Sequence, residues 1–325
     1  MMVGKVRALL EQHQVALYFA AVLLGGLTAM LVKGTASWDV LINPALGVML
    51  FVTFLQIPLA ELGQAFRKTR FLTALLVTNF VAVPVLVALL IPFAPADGMI
   101  RLGILMVLLC PCIDWVVTFA HMGRADATLL LASTPVLLGV QMVALPLWLR
   151  LFLGDGVSQL VQTGPFLHAF LWLILMPLFL AWLVQISARR TSTGQHVATA
   201  LGLLPVPVTA LVLLIVIAAM VPHLGQATAA VLHVVPVYVA FALLAPWLGW
   251  GVSRLSGLEA PAGRALAFSG ATRNSLVVLP LAMAVPGAAP LLPAVIVTQT
   301  LVELAAELLF IRLVPGLGAD RPSSP

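Results

Sequence analysis

Ten long apolar stretches constrain this chain more than any other feature of its sequence. Each is long enough to cross a hydrocarbon core of about 30 Å, which takes roughly 20 helical residues. Only 8% of the residues are charged and 62% are hydrophobic, whereas soluble domains carry about 25% charged residues. The sequence therefore predicts an all-α integral membrane protein. We number the stretches spans 1 to 10, at about 15–33, 40–58, 71–94, 100–121, 127–153, 166–188, 203–223, 229–253, 264–287 and 290–314.

The basic residues predict how the chain is oriented in the membrane. With a cytoplasmic N-terminus, one side of the membrane receives twelve of them and the other side three, which is the positive-inside pattern. The three are Lys33, Arg101 and Arg150. We therefore expect a multi-pass protein of the plasma (inner) membrane with both termini cytoplasmic, a single transmembrane domain over 1–325, and a disordered tail at 319–325. The basic pI reflects this topology and does not indicate nucleic-acid binding.

An internal repeat is visible when spans 4–5 are laid over spans 9–10 by matching Arg101 with Arg264. The first copy reads RLGILMVLLCPCIDW and the second RALAFSGATRNSLVV. Repeat one covers about 15–153 and repeat two about 166–314. Five spans per repeat is an odd number, so the second repeat enters the membrane in the opposite sense. In secondary transporters, such an inverted repeat places the substrate site where discontinuous helices meet near the midplane.

Spans 4 and 9 each contain residues that predict a helix break. Pro111 lacks a backbone donor and disfavours helix at Cys110, and Gly270 adds flexible backbone in span 9. Irregular backbone at membrane depth is tolerated only where it lines a cavity or is buried in protein. We expect the breaks at Cys110, Pro111 and Gly270 to face each other.

Ionisable residues lie at membrane depth near both predicted breaks. A charged side chain there costs several kcal/mol and should have a partner, so we predict that Asp114 and Arg273 form a pair where the two spans cross. Glu303 and Glu307 lie four residues apart on one face of span 10, and Glu303 is the deeper of the two. Proton handling and a structural role both remain open for these glutamates.

Cys110 and Cys112 are two residues apart, so an unbroken helix would point them roughly 200° away from each other. A buried Cys commonly serves as a small hydrophobe, but a thiolate is also a soft ligand suited to metalloid centres. No Gly-rich phosphate loop, HExxH or GxSxG motif occurs in a usable context. We therefore expect no enzyme activity and no catalytic residues, no cofactor and no metal site.

Two spacings carry a resemblance to a known family. Cys112 precedes Asp126 of Arg124-Ala-Asp126 by fourteen residues, and Asn274 precedes Glu303 by twenty-nine. In both respects the chain resembles the arsenical-resistance permeases of the bile acid/sodium symporter superfamily, in particular their divergent bacterial branch. The resemblance implies ten transmembrane helices in two inverted five-helix repeats, with core and panel domains and broken crossing helices 4 and 9.

The same resemblance implies functional residues. It makes Cys112 the counterpart of the family's arsenite-associated Cys, matches Asn274 to the family's span 9 Asn, and places the family's span 4 aromatic at Phe119. A neutral polyhydroxyl solute also needs hydrogen-bonding groups, so we add Thr118 and Ser275 to Cys112, Asn274 and Phe119 as predicted substrate-binding residues. The sequence departs from the family at Ser275-Leu276, where the family has Phe-Glu, at Pro111, where it has Arg, and at Phe119, where Trp is typical. The family pattern does not predict charges at Asp114 and Arg273, which we take with Glu303 as the coupling group.

The function expected from these features is export of trivalent arsenic as arsenous acid, coupled to protons. The alternative is a sodium- or proton-coupled importer of an organic anion, in which Arg273 would bind the anion. A guanidinium beside a cation site would repel sodium, which disfavours sodium coupling. A receptor or scaffold that transports nothing is a third class. The expected partners are a small inorganic or anionic solute, protons, the lipid bilayer and a second copy of the chain in a homodimer, with no nucleic acid.

Overall fold

The computed structural model describes residues 2–56, 68–113, 115–154, 168, 171–288 and 290–318. The described part is helical, with one isolated β-bridge. It contains thirteen α-helices: α1 (Met2–Leu31), α2 (Asp39–Gln56), α3 (Thr69–Val77), α4 (Val83–Leu90), α5 (Gly98–Leu108), α6 (Trp115–Met122), α7 (Ala127–Leu153), α8 (Met176–Arg190), α9 (Ser192–Leu201), α10 (Pro205–Leu255), α11 (Ala260–Ala271), α12 (Ser275–Met283) and α13 (Leu291–Leu313).

Seven segments of the described chain are long and apolar enough to cross a membrane: Lys5–Leu31, Thr35–Gln56, Thr69–Phe93, Ala127–Leu153, Pro205–Pro222, Val231–Leu255 and Leu291–Gly316. They correspond to spans 1, 2, 3, 5, 7, 8 and 10. Spans 4 and 9 are absent from this set because each is divided into two short helices. Span 6 begins at about 166, and most of its start lies outside the described residues. The prediction of ten spans in an inverted repeat is therefore not confirmed by helix length and remains a prediction.

Spans 7 and 8 lie in one continuous helix, α10, which has 51 residues. The sequence indicated two separate stretches here, at about 203–223 and 229–253. No break in backbone helicity separates them in the described structure.

The chain divides into two compact units by its internal contacts. Unit 1 comprises Met1–Ile57, Leu160–Ala229 and Leu279–Ala294, and unit 2 comprises Pro58–Gln159, Ala230–Val278 and Val295–Pro325. Each unit draws on both predicted repeats, so neither unit is one repeat.

Unit 1 is built largely from apolar helix packing. Its helix α8 packs on α2 and α9. The Gln185 side chain reinforces the first of these contacts, because its Nε2 lies 3.3 Å from the carbonyl oxygen of Phe54 and 3.2 Å from that of Leu55. Helix α9 begins after Thr191, whose hydroxyl accepts a hydrogen bond from the Gly194 amide at 3.0 Å.

Unit 2 contains both divided spans and packs them closely. Helix α11 contacts α3, α6 and α7. It also lies against α10 at Gly249, where a β-carbon would stand 2.4 Å from the carbonyl oxygen of Leu266. Any side chain at Gly249 would therefore push the two helices apart. The large buried polar side chains Asn79, Arg273, Asn274, Gln299, Glu303 and Glu307 all lie in this unit.

Candidate functional site

The site is the place in unit 2 where the two divided spans meet. Helix α5 ends at Leu108 and α6 begins at Trp115, while α11 ends at Ala271 and α12 begins at Ser275. The two connecting segments pair as an isolated antiparallel bridge between Pro111 and Arg273. We call these segments break 1 (residues 109–114, of which 114 is outside the described residues) and break 2 (residues 272–274).

Backbone groups freed by one break are satisfied by the other. The Cys112 amide donates to the Thr272 carbonyl at 3.2 Å, and the Asn274 amide donates to the Cys110 carbonyl at 2.9 Å. Two opposite residues of antiparallel strands form a non-hydrogen-bonded pair when the backbone bonds run between their neighbours on either side. Pro111 occupies such a position, so its missing N–H costs the bridge nothing. The breaks thus hold each other in place at a depth where unpaired backbone would be costly.

Arg273 is the largest fully buried side chain of the described structure, with 0% exposure. Its Nη2 donates to Asn79 Oδ1 and to the Gly270 carbonyl at 2.9 Å each, and it also bonds the Ser269 carbonyl. Its Nη1 lies 3.4 Å from the Leu108 carbonyl oxygen. The guanidinium therefore places a positive charge at the ends of both α5 and α11, where the helix dipoles are negative.

An aromatic face and a polar side chain complete the surroundings of this guanidinium. Its carbon lies 5.7 Å from the centre of the Phe241 ring, within the range of a cation–π contact. Asn79 lies in a π-helical turn, Thr78–Ala82, between α3 and α4. This turn precedes Pro84, which cannot donate to the carbonyl four residues earlier, so the local irregularity has a covalent cause. Asn79 also donates to Ser269 Oγ at 2.9 Å.

Glu303 on α13 accepts the backbone amide that break 2 leaves without a helical partner. Its Oε2 receives the Arg273 amide and Gln299 Nε2, both at 2.6 Å, and its Oε1 receives Trp115 Nε1 at 3.0 Å. An indole N–H and a backbone N–H can only donate. Each oxygen of Glu303 thus has a partner that cannot accept, which is the pattern of an ionised carboxylate.

Glu307 lies one helical turn beyond Glu303 and contacts the residue before Arg273. Its Oε1 is 2.5 Å from the Thr272 hydroxyl oxygen, while its Oε2 is buried without a partner among the described residues. Two consecutive residues of break 2 thus contact two consecutive turns of α13.

Two further polar residues follow break 2. The Asn274 side chain caps α12, because its Oδ1 accepts from the Val277 amide at 3.2 Å. Its Nδ2 is buried and has no described partner. The hydroxyl of Ser275 lies 2.8 Å from that of Thr300 on α13. These contacts make break 2 and α13 one polar cluster.

A small cavity opens beside this cluster. Glu303, Gln299, Phe241, Tyr238 and Phe310 are among the residues that line it. It has room for about one water molecule. A water there would lie against Glu303 and the polar residues Tyr238 and Gln299.

The structure brings together part of the predicted site. Cys112, Asn274, Arg273 and Glu303 all lie at the crossing, and Cys112 is buried. Thr118 and Phe119 lie on α6, the first half-buried and the second fully buried. Asp114 is outside the described residues, so its pairing with Arg273 stays a prediction.

Only two of the three predicted break residues lie in a break. Cys110 and Pro111 lie in break 1, but Gly270 lies in the last turn of α11. Break 2 therefore begins two residues later than expected. The backbone at Gly270 remains helical, and the Thr272 amide still donates to the Phe268 carbonyl at 2.9 Å.

The sequence does not single out four residues that complete the cluster: Asn79, Trp115, Ser269 and Gln299. It does predict that Glu307 lies on the same helix face as Glu303. The i, i+4, i+8 spacing of Gln299, Glu303 and Glu307 was a usable signal, because it places all three on one helix face. Asn79 and Trp115 come from other spans, and the one-dimensional pattern contains nothing that links them to Arg273.

Comparison with known proteins decides the family. The sequence profile of the Sodium Bile acid symporter family matches residues 43–245, more than half of the chain. This chain belongs to the Sodium Bile acid symporter family. It is therefore a multi-pass membrane protein and a secondary transporter, not an enzyme, and cation-coupled transport of a solute is implied. No curated protein matches the chain.

The matched residues of the transporter include Asn79 and break 1 but end before break 2 and α13. Arg273, Glu303 and Glu307 therefore lie beyond the part of the chain on which the family assignment rests.

Proposed function

We propose that this transporter exports trivalent arsenic, as neutral arsenous acid, in exchange for protons. The observation that carries the proposal is that the Arg273 guanidinium bonds to acceptors of the protein itself. Its two terminal nitrogens are directed at protein acceptors on α3–α4, α5 and α11, and only its Nε is buried without a partner among the described residues. A guanidinium engaged in this way holds the breaks together and is poorly placed to bind a carboxylate or sulfonate. A neutral solute suits such a site better than an organic anion.

The groups near the crossing also suit a neutral polyhydroxyl solute. Cys112 contributes a soft sulfur at break 1. Asn274 contributes an amide nitrogen that is buried without a partner among the described residues, and buried polar groups normally have one. Trivalent arsenic binds thiols, and its hydroxyl groups can accept from such an amide.

Protons are the coupling ion that these residues favour. The carbonyl oxygens of Ser269 and Gly270, which could otherwise coordinate a metal cation, already bind the Arg273 guanidinium. A fixed positive charge at this position repels sodium. Carboxyl groups on α13 remain available to carry protons.

The proposed transport cycle uses ten spans in two inverted repeats, with both termini cytoplasmic. Because α5, α6, α11 and α12 are half-helices, a change at the crossing can tilt them without bending a continuous helix. Such motion in the membrane is the usual basis of alternating access in inverted-repeat transporters.

The test is growth of an arsenite-sensitive bacterium that expresses the transporter on arsenite, antimonite and arsenate. We expect increased tolerance of arsenite and none of arsenate, which is an anion. Cys112→Ser should abolish the tolerance, while Cys110→Ser, a matched change two residues away, should largely retain it. Equal loss in both variants at equal expression would contradict a specific role for Cys112.

Import of an organic anion is the rival outcome. It predicts sodium- or proton-driven uptake of an anionic steroid or similar acid into vesicles, dependent on Arg273 and insensitive to Cys112→Ser. Uptake of that kind without any effect on arsenite tolerance would overturn the proposal.

A further inference from the structure

The hydroxyl group of Thr272 has one hydrogen atom but two oxygen neighbours at bonding distance. Its Oγ1 lies 2.8 Å from the Phe268 carbonyl oxygen and 2.5 Å from Glu307 Oε1. A carbonyl oxygen can only accept. If Thr272 donates to Phe268, the bond to Glu307 requires a hydrogen atom on Glu307. If Thr272 instead donates to an ionised Glu307, two acceptor oxygens face each other at 2.8 Å without a hydrogen atom between them.

The other oxygen of Glu307 points to the same protonation state. Glu307 is 0% exposed, and its Oε2 has no hydrogen-bond partner among the described residues. Burying an ionised carboxylate with an unsatisfied oxygen is far more costly than burying a neutral acid. Glu303, one turn away, differs because N–H donors reach both of its oxygens.

Five other ionisable side chains lie on the described elements around Glu307. Glu303 lies on the same helix, Arg273 follows Thr272 in break 2, and Tyr238 on α10 lines the cavity beside Glu303. The thiols of Cys110 and Cys112 lie in break 1. Among these described groups, Arg273 and Glu303 balance each other's charge. A second ionised glutamate would leave a net negative charge in a buried region.

We propose that Glu307 is the residue that carries the coupling proton, held on Oε1 and donated to Thr272. This inference rests on the proton coupling proposed above and names its site. When the O–H bond of Glu307 is broken, the proton passes to a water molecule, which becomes hydronium, and both bonding electrons stay on the carboxylate. The Thr272 hydroxyl then turns its hydrogen toward Glu307 and gives up its bond to Phe268.

Loss of the proton therefore acts directly on break 2. Thr272 follows the last residue of α11. Its amide keeps its bond to the Phe268 carbonyl, and loss of the second bond, from the hydroxyl, weakens the end of that half-helix. Two negative charges one turn apart on α13 then repel each other. Protonation of Glu307 restores the arrangement described here. Binding or release of one proton at Glu307 therefore changes the hydrogen bonds and charges where break 2 meets α13.

The first experiment detects the proton without any substrate. Infrared absorption of the purified full-length protein in nanodiscs is recorded at neutral pH in H2O and in D2O. A protonated buried carboxyl group gives a C=O stretching band that is separate from the carboxylate bands and shifts in D2O. Carboxyl groups of model peptides have pKa values of about 4 in water, so a carboxyl group in contact with water contributes to the carboxylate bands at neutral pH.

We expect the band in the wild-type protein, its loss in Glu307→Gln, and its retention in Glu303→Gln. Thr272→Val should shift the band, because the acid loses its acceptor. This variant and the wild-type spectrum decide the question even if Glu307→Gln does not fold. Absence of the band in the wild type, or its loss in Glu303→Gln alone, would overturn the proposal.

The second experiment tests coupling. Glu307→Gln keeps the size of the side chain and can donate to Thr272 through its amide, so a structural role survives while proton binding does not. In inside-out vesicles we expect arsenite counterflow to be retained and pH-driven arsenite accumulation to fall roughly tenfold or more. Accumulation that stays pH-driven in Glu307→Gln would refute the assignment. If the wild type moves no arsenite at all, the proposed substrate fails, while the infrared result still decides the protonation of Glu307.

Discussion

The two breaks occupy equivalent places in the predicted repeats but are held open in different ways. Break 1 contributes mainly backbone, through the Leu108 and Cys110 carbonyls and the Cys112 amide, and its break is built into the chain by Pro111. Break 2 has no proline. Its Thr272 and Arg273 are held by Glu307 and Glu303 of α13. A covalent restraint thus keeps one break open, and a network of side chains keeps the other open.

This difference teaches where the transporter can be regulated. A proline does not respond to pH or to a bound solute, so the interruption of the helix at Pro111 is a constant feature. The bonds of break 2 depend on the protonation of carboxyl groups, and they can change during a transport cycle. If the two breaks differ in this way, substitutions in break 2 and α13 should lower the thermal stability of the protein more than substitution of Pro111.

Arg273→Met should cause the largest loss of stability. The change removes the donor shared by Asn79 and by the carbonyls of Leu108, Ser269 and Gly270. Breaking one partner out of a buried charged network typically costs about 3–5 kcal/mol. The measurement is the temperature at which the detergent-solubilised protein loses monodispersity. Arg312→Met, a change at an exposed arginine, is the control, and similar curves for both variants would contradict a central role for Arg273.

Glu303→Gln should be the next most destabilising change. The amide has one acceptor oxygen in place of two, so at least one of the Trp115 and Arg273 N–H groups loses its partner. Hydrogen bonds to charged groups contribute about 2 kcal/mol each. In the same thermal assay, Glu307→Gln should have a smaller effect, because its amide can still donate to Thr272. An equal loss in the two variants would show that the glutamates do not differ in protonation.

Asn274→Ala should lower the thermal stability by an intermediate amount. It removes the side chain that accepts from the Val277 amide at the start of α12, and loss of such a cap costs about 1 kcal/mol. Asn274→Asp retains an acceptor at this position and should keep most of the stability. A thermal shift that is the same for both variants would indicate that capping is not what Asn274 contributes.

Pro111→Ala should lower the stability of the folded protein least. The bridge bonds come from Cys112 and Asn274, so alanine at 111 leaves them intact. The loss of chain stiffness in the unfolded state alone predicts about 0.4–1 kcal/mol. Hydrogen–deuterium exchange at Cys112 and Asn274 should remain slow. Rapid exchange at these amides would show that the proline, and not the pairing of the breaks, maintains the crossing.

Much of the architecture was readable from the sequence for simple physical reasons. Long apolar stretches must be buried in lipid or protein, and a proline in such a stretch must interrupt the helix. These local rules predicted ten spans, seven of which correspond to long apolar helical segments of the described chain. They also located break 1 at Cys110 and Pro111. They also indicated that Arg273 and Glu303 needed partners, because buried charges are costly wherever the chain places them.

Other features could not be read in this way. The hydrogen-bond pattern at Gly270 kept α11 helical for two residues longer than the polar sequence indicated. The partners of Arg273 proved to be Asn79 and helix-end carbonyls, which belong to segments separated by up to 194 positions in the sequence.

What the sequence by itself determined is which residues lie at membrane depth and where the backbone cannot stay helical. Only the tertiary structure decided which groups meet, and with them the different states of Glu303 and Glu307. The physical reason is that hydropathy and proline act locally along the chain. The state of a buried acid depends instead on the number and kind of hydrogen-bond partners that distant segments bring to it.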